Sequence, residues 1–150
     1  MKNTSLLKLI SILSCILGAI CGFLSLLPYV GGLVFFVLMC LASIIIMIFL
    51  MRANLLNLES TPESITIGAI IGFVSFIAFS VVYMPLVLFF MKVFHYYTNY
   101  GVALSLSNAN LFIIMVVTIF MGILSATINA FTGFLLFYIT EIFKNMNNKQ

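Results

Sequence analysis

GAICGFLSLL, residues Gly18–Leu27, and GAIIGFVSFI, residues Gly68–Ile77, agree at six of ten positions and begin fifty residues apart. Neither stretch holds a charge. Each sits inside a longer apolar run, and the lengths of those runs decide the fold. A helix that crosses a bilayer needs about 20 mostly apolar residues. Four runs meet that requirement, at about 9–27, 33–51, 65–91 and 111–138. Pro28, Tyr29, Val30, Gly31 and Gly32 separate the first two runs with turn-forming chemistry. Lys8, Arg52, Lys92, Glu141 and Lys144 stand at or just beyond the edges of the runs.

Composition agrees with this reading. The chain is 65% hydrophobic and 6% charged, whereas soluble domains are roughly 25% charged. So few charges cannot clothe a water-exposed surface. The expectation is an all-α integral membrane protein with four transmembrane helices in one domain, residues 1–150. Its lipid partner is the bilayer itself. The six basic residues are scattered, so no patch suited to nucleic acid is present.

The charges also predict a threading. Lys2, Lys8, Arg52, Lys144 and Lys149 fall on one side of the four spans, and Lys92 alone falls on the other. Under the positive-inside rule, both termini and a 53–64 linker face the cytoplasm of a plasma or inner membrane. The loop beginning HYYTNYG at His95 then lies outside. Tyr96, Tyr97, Tyr100 and Tyr29 would form an aromatic belt at that headgroup level. The first span resembles the core of a signal peptide, but no small-residue cleavage site closes it, so it is expected to stay uncleaved.

The matched stretches carry matched small residues. Ser14, Gly18, Gly22 and Ser25 align with Ser64, Gly68, Gly72 and Ser75 at a constant offset. Steps of four, four and three keep each set on one helix face. Each face contains a GxxxG, which lets helix backbones approach closely in lipid. The simplest account is duplication of a two-helix unit, giving a parallel pseudo-repeat. These eight residues are the expected helix-packing positions.

Between the halves, Thr61 is expected to cap the third helix, with Pro62 and Glu63 in its first turn. Leu55, Leu56 and Leu58 suggest a linker resting on the inner headgroup surface. The third run extends past Pro85, where a lost backbone hydrogen bond predicts a kink. The segment LVLFFMKVF would then continue along or out of the outer leaflet. In the fourth run, Thr118, Gly122, Ser125, Asn129 and Thr132 form a polar stripe at helical spacing, widened by Gly133. The Asn129 amide lies deep in that run and requires partners that lipid does not offer. Ser75, Ser80 or a carbonyl released near Pro85 are the candidates.

No Asp, Glu, Lys, Arg or His lies deep in any run, and proton-coupled transporters and voltage sensors place such groups there. The four-span plan is similar to that of small multidrug transporters, but their embedded glutamate in the first span has no counterpart here. Cys15, Cys21 and Cys40 match no metal-ligand spacing. His95, the single histidine, stands among tyrosines. No catalytic set or phosphate-binding motif is present, so no enzyme activity, metal or cofactor is expected. Two function classes remain. One is a helix-packing subunit or assembly component of a membrane complex, working beside other membrane protein subunits. The other is a small channel or transporter built by homo-oligomerisation.

Overall fold

Inside lipid a backbone must pair its own N–H and C=O groups, so an apolar run of spanning length folds as a helix. The computed structural model describes residues 4–27, 29–58, 60–95 and 108–147. Within them the chain forms α1 (Thr4–Leu24), α2 (Gly31–Arg52), α3 (Thr61–Phe94) and α4 (Leu111–Asn147). All four are long and apolar enough to cross a membrane, so the chain is an all-α, multi-pass membrane protein. Lys2, Pro28, Glu59, Tyr96, Tyr97, Tyr100 and Lys149 lie outside the described residues.

Helix ends depart from the apolar runs because lipid contact and hydrogen bonding stop at different places. α1 begins five residues before its run and ends at Leu24. Ser25 to Leu27 then continue in turns whose N–H groups return to Cys21, Phe23 and Leu24. Tyr29 takes a left-handed backbone (φ 67°) at the reversal and is fully exposed. Gly31 lies against the end of α1, where a Cβ would sit 2.7 Å from the Ser25 carbonyl oxygen.

The linker departs from expectation. Leu55 is exposed, but Leu56 and Leu58 are only 2% and 7% exposed and join the core. The segment therefore plugs the end of the bundle instead of resting on the headgroups. Two buried leucines gain more from the protein interior than from a wet interface. The cap of α3 is also shifted. Ser60 occupies the N-cap position with extended backbone and makes no side-chain cap bond, while Thr61 is already helical. Pro62 and Glu63 stand in the first turn as expected. At Pro85 the helix is not interrupted, and α3 runs on to Phe94.

α3 is the organising helix. α1 lies along one side of it and α4 along another, and these are its two most extensive contacts. α2 packs across all three. Ile10, Leu38, Met47, Leu50, Ile67 and Ile71 are fully buried at their junction. Phe35, Phe76, Phe79 and Tyr83 add an aromatic cluster, with Phe79 stacked on Tyr83 at 5.1 Å.

Candidate functional site

The small residues set the close approaches. A Cβ on Gly18 would strike the Ser75 carbonyl, and one on Gly22 would lie 2.9 Å from the Phe79 carbonyl oxygen. A Cβ on Gly68 would strike the Asn129 carbonyl, and one on Gly72 would lie 2.5 Å from that of Ser125. Gly133 meets the Ser64 carbonyl in the same way, and the Ser64 hydroxyl donates to the Gly133 carbonyl. The two sequence-equivalent stripes therefore meet non-equivalent partners. Gly18 and Gly22 close on α3, whereas Ser64, Gly68 and Gly72 close on α4, and Ser75 of the second stripe receives Gly18. Ser14 and Ser75 return their hydroxyls to the carbonyls of Ile10 and Ile71 in their own helices. Ser25 is buried, and its hydroxyl has no partner.

The polar stripe of α4 divides into three parts. Near the start of the helix, Thr118 reaches only the Met84 sulfur at 3.8 Å. Gly122 faces the Phe73 ring and Ile77. Ser125, Asn129 and Thr132 come together with α2 and α3 in a buried polar seam.

Asn129 is the centre of that seam and is fully buried. Its Oδ1 accepts from the Ser43 backbone N–H at 2.8 Å. Its Nδ2 donates to the Met39 carbonyl at 2.9 Å and to the Ser125 carbonyl at 3.0 Å. Met39 and Ser43 are one turn apart in α2, and the carboxamide spans the acceptor of one and the donor of the other. An amide has two N–H groups and one carbonyl, so the side chain is satisfied in full. Neither Ser75, Ser80 nor the region of Pro85 supplies the partner.

The hydroxyls complete the network. Thr132 Oγ1 donates to the Asn129 carbonyl at 3.1 Å. Its oxygen also lies 2.6 Å from Ser43 Oγ, a contact in which either hydroxyl can donate. Ser125 Oγ donates to the Gly72 carbonyl at 2.9 Å, tying α4 to α3. Ser43 is the member that sequence reading missed. It is the one hydroxyl residue in the whole of α2, which is the signal that could have marked it.

Chemically, the seam holds an amide, three hydroxyls and backbone groups. None of these changes charge near neutral pH, and among the described residues no base stands beside these hydroxyls. The arrangement suits holding three helices together at depth. Comparison with family models, with curated proteins and with solved structures finds no match.

Proposed function

We propose that this chain is a helix-packing subunit, or an assembly or stabilising component, of a larger membrane complex. The observation that carries the reading is α4. It has 37 residues, about 55 Å of helix at 1.5 Å per residue, against roughly 30 Å of hydrocarbon. Gly133 sits beside Ser64, near the start of α3. α4 then continues well past that level, with Tyr138, Ile139, Ile142, Phe143 and Met146 all exposed. Bilayer hydrocarbon is too thin to cover all 37 residues, and beyond the apolar run at 111–138 the helix still exposes Ile142, Phe143 and Met146 beside Glu141 and Lys144, an amphipathic end that another membrane protein would cover.

The same proposal places both termini and the 53–64 linker in the cytoplasm of a plasma or inner membrane, on the five-to-one charge bias. It includes descent from a duplicated two-helix unit, supported by the matched stretches. The channel alternative has less support, because Ser125 and Asn129 are buried within a single chain and their bonds are satisfied there.

Site-specific photocrosslinking tests the subunit reading. A benzophenone side chain at Phe143 should trap one defined heteromeric partner in native membranes, and the same group at Ile12, exposed within the spanning length of α1, should trap none. Crosslinks from Phe143 to lipid alone would defeat the proposal. Crosslinks only to a second copy of the chain would move weight to the homo-oligomeric channel.

A further inference from the structure

Between the second half of α3 and the first half of α4 lies a groove of about 500 Å³, within the range of small-ligand sites. Its walls are apolar except at one place. Ser80, Val81, Met84 and Pro85 line it from α3, and Met115 and Thr118 line it from α4. Two hydroxyls there are poorly used, and one carbonyl lacks its usual helical donor. Ser80 is 3% exposed, and its hydroxyl has no hydrogen-bond partner. Pro85 has no N–H to return to the Val81 carbonyl one turn earlier. The Thr118 hydroxyl is spent on a sulfur at 3.8 Å, a weak acceptor. Buried polar groups normally find partners, and lipid tails offer none.

We propose that this groove binds a membrane-dissolved lipid alcohol, a molecule with an apolar body and one hydroxyl. The donor and acceptor pattern selects it. A hydroxyl donates once and accepts as well. It can give its proton to the Val81 carbonyl and accept one from Thr118, whose hydroxyl otherwise meets only the Met84 sulfur. A hydrocarbon tail satisfies neither group, and an ether or ester can only accept. The apolar body lies along Met84, Met115 and their neighbours, and the site opens sideways to the bilayer.

The test uses liposome-reconstituted protein and two diazirine-bearing probes, a long-chain alcohol and its methyl ether. Labelling at Met84 and Met115 is read by mass spectrometry and normalised to that at exposed Ile12 on α1. The alcohol should exceed the ether about fivefold, the ratio expected of one hydrogen bond. Pro85→Ala, which restores an N–H to the Val81 carbonyl without breaking the helix, should remove that excess. Equal labelling by both probes in the wild-type protein overturns the proposal and makes the groove an ordinary lipid-wetted surface. An excess that survives Pro85→Ala overturns it too, because the Val81 carbonyl is then not the recognised group.

Discussion

Asn129 holds α2 by its backbone, so the consequence of removing it can be worked out group by group. Asn129→Leu deletes three good hydrogen bonds and leaves the Ser43 N–H and Met39 carbonyl behind. Those two groups can pair with each other along α2, as any helix residue pairs with the one four before it. The loss is therefore moderate, about 0.6–2 kcal/mol, the scale of interhelical polar bonds in membranes. Thermal unfolding in detergent should show it. Liposome flux should be absent from wild type and variant alike. A wild-type flux that Asn129→Leu abolishes, with stability unchanged, would turn the interpretation towards a channel. That this residue needed a partner was legible in the sequence, since an amide at that depth cannot stay bare. The identity of the partner was not. Carbonyl and N–H groups belong to every residue, so the sequence of α2 could not mark Met39 and Ser43 as their owners.

At the scale of the helix, the glycines divide into two kinds. Gly72 has the Ser125 carbonyl and Asn129 Cβ within 2.6 Å of where its own Cβ would stand. Gly32 has nothing within 4 Å. Gly72→Leu should force α3 and α4 apart and sharply lower the folded yield in detergent, as should Gly18→Leu between α1 and α3. Gly32→Ala should behave like wild type in the same size-exclusion assay. Equal behaviour of all three would mean that these helices do not touch where described. The spacing of Ser14, Gly18 and Gly22 already marked a packing face on α1, and a fixed step pattern suffices for that. It could not say which helix answers that face. α2 shows the limit most plainly. From Leu33 to Met51 it is apolar on every side except at Ser43, so hydrophobic pattern gives it no preferred face. Its rotational setting comes from the clamp at Asn129 and from the Phe35 contacts.

For the whole molecule, the four crossings place Asn57 and Asn110 at opposite ends of the bundle. Single cysteines at these positions, on a background lacking Cys15, Cys21 and Cys40, should label from opposite sides of the membrane. Asn57 should react from the cytoplasmic face. Labelling of both from one side would overturn the four-span arrangement. Reaction of Asn57 only from outside would invert the proposed threading while leaving the fold intact. The number of crossings was readable from run length against bilayer thickness. The inward turn of Leu56 and Leu58 was not, because a leucine beside polar residues looks the same in sequence whether it meets headgroups or a core.

The dominance of the α1–α3 and α3–α4 contacts bears on the order in which the chain is made. α1 and α2 leave the ribosome first, yet they share the smallest of the five substantial helix interfaces. Gly18 and Gly22 must wait for Ser75 and Phe79, nearly sixty residues later in the chain. At about 5–20 residues per second of synthesis, that delay is on the order of 3–12 s. For those seconds the first hairpin stands in the bilayer with its small-residue face bare. The N-terminal half is thus a dependent of the C-terminal half, and truncation after Arg52 would leave a segment exposed to mispairing and proteolytic removal.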